Sequence, residues 1–186
     1  MRKFLVVIFT IIVSLSCDCI KRDYERLMAS RITFPETLQK VDRQDMLAFT
    51  VKNDNVHMII YFDSTECSTC AISKLEDWEP LIEEAKSIYN YIDFIFIFSP
   101  TKSEMDKVMQ NIVTNSQVYN IVLDDCGAFS QSNPQIPQDN RFHTMLLDKN
   151  NNVVLIGNPL YSNSIWELMK EALMNIKSND GLFIAD

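Results

Sequence analysis

A Cys-Ser-Thr-Cys tetrad, Cys67 to Cys70, stands at the junction of two different periodicities, and that junction constrains the chain more than any other feature. Before it, VHMIIYF (56–62) is apolar and β-branched and reads as a buried strand. After it, Ile72, Leu75, Trp78, Leu81, Ile82, Ala85 and Ile88 recur at three and four, which predicts a helix from Ala71 onward, kinked at Pro80. A cysteine where a strand turns into a helix meets unpaired backbone N–H groups and the positive end of the helix dipole. Both favour a thiolate, which is the nucleophile in disulfide exchange. A second cysteine three residues on lies one turn away and can resolve a mixed disulfide. The hydroxyls of Ser68 and Thr69 are placed to reach the sulfur.

The remaining pattern is alternating α/β. IDFIFIF (92–98) predicts a second buried strand, and Met105, Val108, Met109 and Ile112 predict a helix over 103–113. NIVLDD (120–125) reads as a short strand. HTMLLD (143–148) and VVLIG (153–157) flank Lys149-Asn150-Asn151-Asn152 as a hairpin, and 164–177 reads as the last helix. The lead-in carries helical spacing at Tyr24, Leu27, Met28 and Arg31, ended near Thr33 by Pro35, with a short strand at 46–51. The fold class is therefore α/β: a central mixed sheet flanked by helices, with an inserted short strand and helix before a closing ββα.

Composition removes several functions. Three glycines, at 127, 157 and 181, cannot build a phosphate-cradling loop, so nucleotide fingerprints are absent. A net charge of −8 argues against nucleic acid as a partner. Two histidines, His57 and His143, support no Ser-His-Asp arrangement. Helix carboxylates such as Glu83 and Glu84 read as a solvated face, and the nine methionines as core filler. No organic cofactor is implied, and the oligomeric state is left open.

Residues 1–20 begin with Arg2 and Lys3, continue as an apolar run from Phe4 to Val13, and reach Ser14-Leu15-Ser16 before Cys17. The run is short for a membrane span and fits an export signal. It resembles a bacterial lipoprotein signal, which implies cleavage after residue 16, lipidation of Cys17, and a domain in the cell envelope held to a membrane by its N-terminal lipid. The loss of Arg2 and Lys3 makes the mature chain more acidic, so attachment to an anionic bilayer would rest on the lipid alone. The expected organisation is a signal peptide at 1–16, a tether and lead-in at 17–50, the main domain at 51–178 and a tail at 179–186.

The junction, the alternation and the stretch RFHTMLLDKNNNVVLIGNPL (141–160) together resemble the thioredoxin superfamily, in particular its membrane-anchored and peroxiredoxin-like envelope members. The resemblance runs from about Val56 to Lys177. It implies a thiol–disulfide oxidoreductase acting on protein thiols and disulfides, with Cys67 attacking and Cys70 resolving. It also implies that backbone near His143 and Thr144 orients the partner chain. The sequence departs from the family at informative places. Glu66 replaces the Trp before the first cysteine and would raise the thiolate pKa by its charge. Ser68-Thr69 replaces Gly-Pro, Tyr61 stands where a buried acid is common, and His143 takes the place of the cis-Pro. Ile60 and Ser64 occupy the positions where a peroxide-reducing site carries Pro and Thr, which argues against that activity.

Other readings of the same residues stay open. Cys67 and Cys70 form a purely structural disulfide in one. In another they join His143 in a Cys₂His set suited to Cu(I) or Zn(II), and the domain is a non-catalytic metal-binding or protein-interaction lipoprotein. Cys126 reads as a bystander or a third redox thiol. His143 could equally shift the thiolate pKa or pack at a strand start. Cys19 lies too near the anchor to assign, and His57 reads as structural.

Overall fold

The computed structural model describes residues 18–42, 45–52, 54–115 and 119–185. The signal segment and Cys17 lie outside the described residues. Residues 18–28 form helix α1. There follow β1 (Gln39–Asp42), β2 (Asp45–Ala48), β3 (Val56–Phe62), α2 (Ser68–Ile72), a 3₁₀ turn (Leu75–Trp78), α3 (Glu79–Ile88), β4 (Ile92–Phe98) and α4 (Met105–Asn115). The chain closes with β5 (Ile121–Leu123), α5 (Ala128–Ser132), a 3₁₀ turn (Asn140–Phe142), β6 (Thr144–Leu147), β7 (Val153–Ile156) and α6 (Asn163–Ser178).

The seven strands make one mixed sheet in the order β2-β1-β5-β4-β3-β6-β7. Its centre is the parallel pair β3 and β4, in register from Val56 opposite Ile92 to Phe62 opposite Phe98. Both faces of this pair are covered, which is why both strands are apolar nearly throughout. Met58 and Ile60 face a cluster with Trp78, Val108, Phe96 and Leu173, beneath α3, α4 and α6. Ile59 and Tyr61 face the other way, against Leu27 of α1, Phe129 of α5 and Phe142. Alternation along the strand thus sends successive side chains into two cores.

The lead-in contributes more than a tether. Strand β1 pairs antiparallel with both β2 and β5, and Leu27, Ile32, Leu38 and Phe49 are buried. Helix α1 stops at residue 28, earlier than Pro35 suggests, where the Ser30 hydroxyl donates to the Leu27 carbonyl at 2.7 Å.

The expected long helix after the cysteines is instead three pieces, α2, the 3₁₀ turn and α3. The Ser73 hydroxyl donates to the Cys70 carbonyl at 2.8 Å at the end of α2. Pro80 sits in the first turn of α3. Lacking an N–H, it fits where that donor has no intrahelical partner, so it starts a helix rather than kinking one. The apolar spacing survives the breaks because all three pieces bury the same side: Ile72, Leu75, Trp78 and Ala85 share one core.

Candidate active site

Strand β3 ends at Phe62, and the next residues turn the chain sharply. Asp63 Oδ1 accepts from the Thr65 N–H at 2.8 Å and from the Thr65 hydroxyl at 2.6 Å. This local side-chain turn delivers Cys67 to the N-cap of α2. There the Cys70 N–H donates to Cys67 Sγ at 3.3 Å, and Thr69 Oγ1 lies 3.6 Å from the same sulfur. The cap site that Ser or Asp usually fills is filled by a sulfur. Because α2 has only five residues, the sulfur's electrostatic support is these local donors more than a long aligned dipole. Ser68, expected to help, turns inward: it is buried, and its hydroxyl has no partner among the described residues.

Cys67 and Cys70 form a disulfide, with an S–S distance of 2.06 Å and their Cα atoms 5.3 Å apart. Both residues are exposed, so the bond is open to an approaching thiolate. Cys126 and Cys19 are free and exposed, with sulfurs near Asp124 and Asp23 respectively.

His143 does not join the two sulfurs. Its Nδ1 lies 3.1 Å from Glu66 Oε1, and its Nε2 lies 3.0 Å from the Pro137 carbonyl. Both partners of the ring are acceptors, so the arrangement is complete when both nitrogens carry protons. The His143 side chain is 4% exposed and that of Glu66 23%. Burial works against the imidazolium, but the Glu66 carboxylate and the Pro137 carbonyl outweigh it, and the His143 pKa is raised. The Tyr61 ring packs on the imidazole, with centroids 5.0 Å apart. Burial pushes the Tyr61 phenol up.

The Cys₂His set expected as an alternative is not assembled in this arrangement: the ring nitrogens face Glu66 and Pro137. Among the described residues no group of three or more His, Cys, Asp or Glu is placed to hold an ion. The Glu66 carboxylate, expected beside the sulfur, has the His143 imidazole as its partner.

The backbone expected to dock a partner is largely occupied. The His143 N–H donates to Asn140 and its carbonyl accepts from the Tyr61 N–H at 2.9 Å, while the Thr144 carbonyl accepts from the Gly157 N–H at 2.9 Å. No cis peptide bond occurs among the described residues. Two clefts flank the Glu66–His143 pair instead. One, of about 590 Å³, is lined by Phe62, Trp78, Lys74, Leu160 and Tyr161 among others. The other, of about 500 Å³, includes Asp63, Ser99, Ser130 and Pro137. His143 and Tyr61 line both. The spacing of Glu66 and His143, 77 residues apart, carried no sign of their contact.

His57 is buried, and burial lowers its pKa against the opposing pull of Asp93 and the Lys52 backbone. It packs edge-on against Phe34 at the start of β3.

No family model and no curated protein matches the chain. Solved structures do. A thioredoxin-like protein from Porphyromonas gingivalis aligns at 16% identity and a TM-score of 0.51, over 76% of this chain and 90% of that one. A candidate thiol:disulfide interchange protein DsbE from Chlorobium tepidum aligns at 12% identity and a TM-score of 0.52, over 78% and 98%. The chain has a thioredoxin-like fold. A candidate electron transfer protein from Aquifex aeolicus VF5 aligns likewise, at 9% identity and a TM-score of 0.51, over 78% and 93%. Within this thioredoxin-like frame, Cys67 and Cys70 sit where the central strand β3 hands over to the first helix of the core domain.

Proposed function

We propose that this protein is a thiol–disulfide oxidoreductase whose working pair is Cys67 and Cys70, acting on protein thiols and disulfides. The observation that carries this reading is the exposed Cys67–Cys70 disulfide, with Cys67 Sγ held as the helix cap by the Cys70 N–H. The interchange activity named for the Chlorobium protein of the same fold supports it.

In the reducing direction, the Cys67 thiolate attacks one sulfur of a partner disulfide. A Cys67–partner bond forms, the partner S–S bond breaks, and the partner's other sulfur leaves as a thiolate and takes a proton. Cys70, deprotonated, then attacks Cys67 Sγ and releases the second partner thiolate. Two electrons pass to the partner, and the Cys67–Cys70 bond is restored. The reverse sequence oxidises a partner dithiol. Lowered thiol pKa values at helix starts make such a thiolate available near neutral pH. The cleft lined by Trp78, Leu160 and Tyr161 also includes Glu66 and Ala71, the residues that flank the Cys67–Cys70 segment in sequence, and gives a partner segment a surface there.

The reading extends to location. Among the described residues no helix is long and apolar enough to cross a membrane. The first seventeen residues resemble a lipoprotein signal, so the domain is proposed to work in the cell envelope on a lipid at Cys17. The test of function is turnover of a protein disulfide by the purified protein in the presence of a thiol reductant. A Cys67→Ser variant as active as the wild type would overturn it. For the anchor, a Cys17→Ala variant is expected to leave the membrane fraction.

A further inference from the structure

The residue directly before the proposed nucleophile is an acid, and the fold places a buried imidazole on it. Glu66 Oε1 and His143 Nδ1 are 3.1 Å apart, and Pro137 holds the far nitrogen at 3.0 Å. This ring has no freedom to act elsewhere: Tyr61 packs on it, and its backbone is fastened to Asn140 and Tyr61. Cys67 follows Glu66 without an intervening residue, so the charge that Glu66 carries stands one residue along the chain from the sulfur.

We propose that His143 is a positioning and charge-balancing residue for Cys67: it neutralises the adjacent Glu66 carboxylate and pins the cysteine loop, so that the thiolate forms beside a neutral pair instead of beside a bare anion. The inference rests on Cys67 being the attacking sulfur of the reaction above.

The other charged groups around the ring leave this role to His143. Asp63 on the β3–α2 loop acts on the imidazole as a second anion and is already held by Thr65. Asp139 on the turn before β6 is ion-paired with Arg141. Tyr61 on β3 stays neutral because burial raises its pKa. The cation that meets Glu66 is therefore His143. An anion next to a sulfur disfavours the thiolate, and an ion pair whose net charge is zero does so far less.

The experiment is alkylation of the reduced full-length protein with iodoacetamide across pH, with Cys67 modification followed by peptide mass. His143→Gln leaves Glu66 uncompensated, and the Cys67 rate at pH 7 is expected to fall about three- to tenfold. Glu66→Gln removes the anion, and the rate is expected to hold or rise. The double variant is expected within about twofold of wild type, because the two charges leave together. Opposite signs separate charge balance from simple loosening of the loop, which would slow both single variants alike. A slower Glu66→Gln variant, or a His143→Gln variant at the wild-type rate, would overturn the proposal.

A second measurement needs no variant. The His143 ring is titrated by NMR in the disulfide and dithiol forms. Coupling is reciprocal, so the imidazole must titrate at a higher pH in the dithiol form, where a thiolate can form nearby. Identical midpoints would refute the coupling even if no variant folds. Because these readouts follow thiol acidity and not turnover, a protein showing the shifts but no interchange activity would refute the oxidoreductase reading while leaving the Glu66–His143 role intact.

Discussion

The Glu66 carboxylate and the His143 imidazole meet at 3.1 Å across the end of strand β3, one residue from Cys67 and with the imidazole all but sealed from solvent. The pair joins the loop that presents the cysteines to the turn that opens β6. Its sign with respect to pH follows from the direction of the shift. A histidine whose pKa is raised in the folded state stabilises that state fully below its unfolded value, near 6.5, and the contribution is lost as pH rises through the raised native value. Stability is therefore expected to fall on the alkaline side of neutrality. His143→Gln is expected to cost about 1.5–3 kcal/mol at pH 6 and much less at pH 9, read from urea midpoints at the two pH values. Equal losses at both would show that the proton has no part in it.

The two cysteines are expected to fail differently. Cys67→Ser removes the sulfur that caps α2 and accepts from the Cys70 N–H, so no covalent adduct with a partner is expected. Cys70→Ser keeps the attacking sulfur and loses the resolving one. It is expected to accumulate a mixed disulfide, visible as a mass increase that a reductant reverses. Adducts on Cys67→Ser at wild-type level, after Cys126 and Cys19 are excluded by peptide mass, would contradict this order of events.

Gly157 follows β7 and lines the larger cleft. Its φ is +135°, and an added Cβ would lie 2.9 Å from Ile165 Cδ1 on α6. Gly157→Ala is expected to destabilise by about 1–3 kcal/mol, from backbone strain together with displacement of Ile165. The denaturation midpoint checks it. A neutral substitution would mean that the β7–α6 connection relaxes more freely than its packing implies.

Trp78 closes the 3₁₀ turn, is 3% exposed, and meets Phe96 edge-on with centroids 5.7 Å apart. It also forms part of the wall of the cleft that Glu66 and Ala71 line. Trp78→Ala is expected to cost about 3–5 kcal/mol. Trp78→Phe is expected to recover most of that stability but to weaken partner capture by the Cys70→Ser trap, since the cleft wall is cut back.

Much of this protein was determined by short-range pattern. The runs 56–62 and 92–98 could only be strands buried on both faces, and the structure pairs them in parallel at the sheet centre. The Cys67–Cys70 spacing at a strand–helix junction dictated a sulfur at a helix start. These features are legible because periodicity and capping act over a few residues. What the sequence alone left undecided was settled by packing. Pro80 reads the same in a kinked helix as in a new one, and the way α2, the 3₁₀ turn and α3 lie on the sheet made it a helix start. The lead-in became sheet because β1 found β5, some 80 residues onward. His143 was a metal ligand, a substrate clamp or a packing residue by type. The antiparallel register that sets Ile60 opposite Thr144 brought it against Tyr61 and Glu66. A side chain's charge partner depends on which strands adjoin, and adjacency is a property of the folded sheet, not of any local stretch of chain.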